Sequence, residues 1–484
     1  MAGAAVAVLL ATPMVERAES WEHVPLFFFV VPSRFLQTLC VVGPAMFLLG
    51  IPLPWILDDG QGTKRWGTIY AINTVGAMAG GITAAWLLLP HIGFARSAWL
   101  VGGLVGLAAL LGAGGRARIG VGLAVAASIA LAMFFESGVG RTRTIGANTG
   151  TLLAFRETSD FTVSVVDKGT QRVLYIDGFV ATGEAADADY MVWMGRLPAL
   201  LHPHPGKGLV ICFGTGQTAN ALRREHIGAL DIVDISQAVF DLAPFFSTNE
   251  DVLGVPIVAH HRVDGRSWLR RTQTHYDVIT LEPMPPTFAG VNSLYSREFY
   301  ELVFARLNPG GIAAQWLPFH LVDPLRGVSI ATTFRAVFAD SVIWVHPRTG
   351  TGILLGRRPG GTTPWTAWPG LERPSEGRTL DPDAIRSSLL DSDALGRYAA
   401  PGRVITDDNQ LLAYGFDPHG TDRNVGLSYK AEHAELIRQA QTGAITLPPE
   451  PPIELWRWGL SLVAILVAGR LIYVVQRDVR RRFT

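Results

Sequence analysis

Residues Gly208–Leu222 read GLVICFGTGQTANAL. An apolar run of strand length gives way to a turn holding Gly214 and Gly216, and then to a segment with Ala219, Ala221 and Leu222 at helical spacing. Continuous apolar strands are the mark of a parallel sheet covered on both faces. A strand that enters a helix through glycines aims backbone N–H groups and a helix N-terminus at one spot beyond its carboxyl end. The turn lacks the third glycine of the dinucleotide fingerprint, and neither Gly-Lys-Ser nor Gly-Lys-Thr comes after it. That disfavours NAD and ATP and favours a compact nucleoside. Glycine turns also arise for steric reasons alone, so the reading rests on the ordered strand ends farther along the chain.

Next comes LDIVDIS, which puts Asp234 at a strand end where a carboxylate can accept from both ribose hydroxyls. RVDGRSWL ends a third strand, with Asp264 and Gly265 placed to meet an adenine amino group. YDVITLEPMPP carries Glu282 to the end of a fourth strand and turns at once through three prolines. Ile312 to Gln315 forms a fifth, with Trp316 directly after it. Strands alternating with helices predict a parallel sheet in an α/β fold. Thr162 to Val166 and Arg172 to Ile176 flank DKGTQ as a hairpin, and Val342 to Val345 with Gly352 to Leu355 reads as a closing one.

The chain of 484 residues is 49% hydrophobic and only 17% charged, so part of it is expected in lipid. Lys plus Arg and Asp plus Glu number 41 each, which leaves no global field to attract nucleic acid. Phe35 to Leu57, Trp66 to Leu89, Ala98 to Gly114 and Ile119 to Phe135 approach the roughly 20 residues of a membrane span. Gly76, Gly80 and Gly81 in the second are small residues suited to helix packing. Met1 to Met14 is apolar and short without a basic n-region, reading as a residual or interfacial helix or a signal peptide. The expected organisation is a transmembrane region of about four spans over 1–144, a β-hairpin region over 145–185 and the α/β domain over 186–420. An amphipathic, Pro-rich linker over 421–452 then leads to an apolar helix with a basic tail over 453–484. Arg477, Arg480, Arg481 and Arg482 place the globular domain outside by the positive-inside rule, whereas Arg141 and Arg143 place it inside. Cys40 and Cys212 read as small core residues, and His202, His204, His260 and His261 show no metal-ligand pattern.

From about Thr162 to Gly415 the chain resembles the spermidine synthase (polyamine aminopropyltransferase) family, and within it the bacterial membrane-fused spermidine synthase-like proteins. The pieces that carry this are LYIDG, LPALLHPHPGKGLVICFGTGQTANAL, VDIS, DGRSWLRR, YDVITLEP, SLYSREFYELVFARLNPGGIAAQW and ITDD, with IYAINTVGAMAG in the membrane part. The resemblance implies a Rossmann-like S-adenosylmethionine-dependent transferase sheet in a multi-pass protein of the bacterial inner membrane, and weakly a homo-oligomer. It implies aminopropyl transfer from decarboxylated S-adenosylmethionine, a donor substrate in place of any tightly bound cofactor, to a polyamine such as putrescine. Glu282 stands where the family places an Asp base. The longer arm matters, because a misplacement of about 1 Å can cost on the order of a hundredfold in rate.

The family's Gly-Asp-Gly turn is Gly214, Thr215 and Gly216 here, and its tyrosine-histidine-glutamate cluster survives as Tyr190 before Met191 and Val192. Tyr190, Asp187 and Gln315 are the expected substrate contacts. Asp187 and Asp189 also suit a solvated helix start, and Trp316 suits the core. Asp407 and Asp408 in ITDDN match a family motif without its usual trailing Arg-Pro, so they suit a structural turn equally. Two alternatives stay open: a methyltransferase using intact S-adenosylmethionine, and a non-catalytic module that senses a nucleoside or polyamine at the membrane.

Overall fold

The computed structural model describes residues 1–17, 30–58, 66–136, 469–470, and 150–448 without 159, 186–187, 287, 289, 375–376, 410 and 414–422. The chain divides into two units, residues 147–448 and residues 1–146 with 449–484.

The described part of the second unit is helical: Ala2–Arg17, Val30–Gly50, Pro52–Asp58, a run from Trp66 to Gly112, and Gly115–Glu136. Two stretches, Trp66–Gly112 and Gly115–Phe134, are long and apolar enough to cross a membrane. Ile72, Val75, Trp86, Leu104, Leu111, Ile119 and Leu123 are among the large apolar side chains they expose. No loop separates the expected spans Trp66 to Leu89 and Ala98 to Gly114. The helical run instead passes through a π-helical turn, Ala84–Leu88, and breaks at Gly93, whose φ of 78° only a residue without Cβ adopts cheaply. Gly76, Gly80 and Gly81, read as packing positions, offer an added Cβ no neighbouring atom within 4 Å among the described residues. Close approach occurs at Gly102 and Gly106 instead, where an added Cβ would stand 2.7 Å from Leu9 and 2.9 Å from Val125. Leu455 to Val475 and the basic tail lie outside the described residues, apart from 469–470.

The unit 147–448 holds two sheets. The smaller is a four-stranded antiparallel meander of β1 (Thr151–Glu157), β2 (Thr162–Asp167), β3 (Arg172–Ile176) and β4 (Phe179–Gly183). The predicted hairpin is its central pair, and β1 and β4 flank it. The larger sheet orders its strands β12-β10-β11-β9-β8-β5-β6-β7. Its strands β5 (Lys207–Ile211), β6 (Ala229–Asp234), β7 (Val258–Arg262), β8 (Tyr276–Leu281) and β9 (Leu307–Leu317) run parallel. The others, β11 (Gly352–Arg357), β10 (Asp340–Val345) and the two-residue β12 (Leu389–Leu390), add to β9 by successive antiparallel pairings, so the α/β sheet is mixed.

From β5 the chain moves to one side through β6 and β7, then returns to the other through β8 and β9. The carboxyl ends of β5 and β8 therefore flank a switch of strand order, where open α/β sheets bind ligands. Register brings Ile211 beside Leu281 and Leu281 beside Gln315. Helices Asp189–Leu201 and Gln217–Arg224 cover one face, where Gly195 lets them touch: a Cβ there would stand 2.3 Å from the Thr218 carbonyl oxygen.

Candidate active site

The turn after β5 holds three residues in the left-handed region: Cys212 (φ 71°), Gly214 (φ 56°) and Gly216 (φ 86°). At Gly216 a side chain would collide with Phe213 and Asn249 at 2.6 and 2.8 Å. Cys212, which has a Cβ, holds this conformation through its N–H bond to the Val233 carbonyl at 2.9 Å. Strain of this kind persists where the surroundings over-determine the backbone, commonly at ligand sites.

Asp234 reaches across to that turn. Its Oδ2 accepts from the Phe213 N–H and its Oδ1 from the Ser236 N–H, each at 2.9 Å. The carboxylate is thus fixed, with lone pairs left for a ligand's hydroxyls, and burial raises its pKa against these bonds. Ser236 Oγ, beside it, is buried with no hydrogen-bond partner among the described residues. Such an orphan calls for an explanation. Asp264 caps the helix Gly265–Arg271, accepting from the Ser267 N–H at 2.7 Å. Gly265 is obligatory, since a Cβ would lie 2.4 Å from Ile211 Cγ2. Burial pushes the Cys212 thiol pKa up, with Asp234, Glu282 and Asp264 adding to the shift in that order. All three strand-end carboxylates therefore lie within electrostatic reach of one atom.

Glu282 is partly buried, and its N–H points to the Ile211 carbonyl at 3.4 Å. Burial raises its pKa to about 7, against hydrogen bonds from Tyr190 and Thr218 that favour the ionised form. The Thr218 hydroxyl lies 3.3 Å from Oε2. Tyr190 stacks on Trp316 with ring centroids 5.8 Å apart and planes at 13°. A group that titrates near neutrality beside an aromatic wall can take a proton from an amine and contact the cation it leaves. Removing the Tyr190 donor disfavours the carboxylate, so Tyr190→Phe is expected to raise the acid limb of the pH–rate profile by about one unit; stopped assays across pH 5 to 9 check it.

Gln315, Asp189 and Asp407 each bond protein groups. Gln315 is fully buried, its Nε2 donating to the Trp316 carbonyl at 2.9 Å. Alternation along β9 puts it on the sheet face opposite Trp316. Asp187 lies outside the described residues. Asp189 is no solvated helix start: it is 11% exposed and bonds His346, Arg348 and Thr379. Asp407 is clasped by the Arg266 guanidinium while its N–H donates to Glu298. Thr215, in place of the family's acid, accepts from Gln217 Nε2 at 2.9 Å. Trp316, read as suiting the core, packs in it at 4% exposed with Tyr190 against it, and Thr218 is the contributor that residue type alone did not single out. Thr218 could have been found from its place one helical step inside the glycine turn.

Residues 188–316 match the model of the spermine/spermidine synthase domain. The chain is 28% identical over 263 residues to polyamine aminopropyltransferase 2 of Pseudomonas aeruginosa, covering 50% of this chain and 74% of that one. It is 30% identical over 179 residues to the polyamine aminopropyltransferase of Nitrosomonas europaea (36% and 54% covered) and 29% identical over 218 residues to putrescine N-methyltransferase 2 of Nicotiana attenuata (42% and 56%). The chain therefore spans little more than half the length of these last two relatives. Among solved structures it is similar to spermidine synthase from Thermotoga maritima, at 15% identity and a TM-score of 0.39, covering 57% of this chain and 88% of that one.

Proposed function

The chain belongs to the spermidine synthase (polyamine aminopropyltransferase) family, and from that premise we propose that it transfers an aminopropyl group from decarboxylated S-adenosylmethionine to an amine of a polyamine such as putrescine. The amine lone pair attacks the methylene carbon attached to the sulfonium. The carbon–sulfur bond breaks with its electron pair going to sulfur, which releases methylthioadenosine. The new ammonium loses its proton to Glu282, the general base. Asp234 holds the ribose, the 212–216 turn approaches the nucleoside, and Asp264 with Gly265 meets the adenine. Tyr190 and Trp316 wall the acceptor.

The observation that carries this reading is Glu282, a carboxyl set to titrate near 7 at the switch of strand order. Putrescine N-methyltransferases among the relatives, with Thr215 in place of an acid, favour a second reading: methyl transfer from intact S-adenosylmethionine to the same class of amine. One experiment separates them. Purified protein is given putrescine with each donor in turn, and products are read by mass spectrometry. Aminopropyl transfer yields methylthioadenosine from the decarboxylated donor only, methyl transfer yields S-adenosylhomocysteine from the intact one, and neither product at any pH ends both readings. The apolar stretches Trp66–Gly112 and Gly115–Phe134 would anchor the enzyme in the bacterial inner membrane.

A further inference from the structure

We propose that His433, on the helix Arg423–Thr442, is a positioning residue for this site: it fixes the turn 318–322 behind β9 and, through Trp316 and Tyr190, the setting of Glu282. The functional consequence rests on the transferase reading above, while the geometry does not.

His433 is fully buried, and both ring nitrogens are engaged. Nε2 lies 3.0 Å from the Val322 carbonyl, and Nδ1 lies 2.8 Å from the Tyr398 hydroxyl. A carbonyl can only accept, so Nε2 carries the hydrogen and Nδ1 accepts from Tyr398. Burial lowers the imidazole pKa to about 4, so the ring stays neutral around pH 7. It stacks on Phe319, centroids 4.5 Å apart at 21°. From the far side Gly327 closes on its edge, where an added Cβ would stand 2.2 Å from Cε1.

Anchoring the helix does not require an imidazole, because Leu436, Ile437 and Ala440 already bury in the core. A buried ring nitrogen left unpaired is costly. What the imidazole adds over an apolar ring is therefore its polar link to the Val322 carbonyl, in a turn that belongs to no strand or helix. Two short-range backbone bonds, Phe319 N–H to Leu317 and Leu321 N–H to Pro318, each at 2.9 Å, also shape that turn. The turn begins just after Trp316, whose ring lies 6.0 Å from that of His320 and stacks on Tyr190, the hydrogen-bond partner of Glu282.

The test uses the full-length protein with His433→Phe, which keeps an aromatic ring and loses both polar links, and His433→Gln, which offers one donor and one acceptor. Tyr398→Phe, a smaller lesion, serves if the first variant does not fold. The Glu282 carboxyl is titrated by difference infrared spectroscopy against Glu282→Gln, beside thermal unfolding and steady-state kinetics. We expect His433→Phe to move the Glu282 midpoint by about one pH unit and to lower kcat about tenfold with the donor KM unchanged. Tyr398→Phe should move both in the same direction by less, and Gln should restore both. An unmoved midpoint in folded His433→Phe or Tyr398→Phe protein, whatever the unfolding temperature, overturns the proposal. Absence of aminopropyl transfer in the unaltered protein would defeat the functional reading alone, and the titration would still decide this one.

Discussion

Glu282→Gln is expected to make the protein more stable and nearly inactive. The folded-state pKa of Glu282, about 7, lies above the ordinary glutamate value of 4.5. Between these values the unfolded chain releases a proton that the folded chain keeps, so stability falls as pH rises through this window. Above pH 7 the folded state carries the cost of ionising this partly buried carboxylate, at most about 3 kcal/mol at 1.36 kcal/mol per pH unit. Glutamine has no such charge. Denaturant unfolding should therefore show the variant level with the unaltered protein at pH 4 and more stable by up to that amount at pH 8. Turnover should drop by a factor on the order of 10² to 10⁴, the usual contribution of a general base. A loss of stability at pH 8 would mean that the carboxylate is well solvated or paired, which contradicts the proposed base.

The second large effect is expected at Gly195. An alanine Cβ would stand 2.3 Å from the Thr218 carbonyl oxygen, 2.9 Å from the Leu222 nitrogen and 3.1 Å from Ala221 Cβ. Two of these atoms are helix backbone, which cannot rotate away as a side-chain tip can. The helices Asp189–Leu201 and Gln217–Arg224 must part, at a cost of about 1 to 3 kcal/mol or more. Thr218, already 3.3 Å from Glu282, then loses its hold. Gly195→Ala should unfold at lower denaturant and lose activity tenfold or more, whereas Gly443→Ala, with open space around it, should change neither. Thermal unfolding and initial rates on the two variants check this.

The features legible in the sequence are those that local pattern encodes. Apolar runs mark β5, β6 and β8, because strands buried on both faces must be apolar throughout. Glycines 216 and 265 mark places where an added Cβ would collide, and Gly214 marks a left-handed turn of the backbone. Acids 234, 264 and 282 stand at strand ends because those ends face the crevice. Contacts between distant segments stayed hidden. Thr218 meets Glu282 across 64 positions, and Asp189 meets Arg348 across 159. The latter pairing removes Asp189 from the acids that an amine could use. Among the described residues the close helix approaches fall at Gly102 and Gly106, which glycine spacing did not name, since spacing alone does not say which helix face meets a neighbour. β1 and β4 escaped notice because their half-exposed, mixed residues lack the clean alternation of a strand with one wet face.

The most direct measurement is an experimental structure of the protein with methylthioadenosine bound. The account requires the ribose hydroxyls on Asp234, the adenine beside Asp264 and Gly265, and the thioether sulfur turned toward Glu282 with Tyr190 and Trp316 beyond it. A nucleoside bound elsewhere, or one whose sulfur points away from a solvent-facing Glu282, contradicts it.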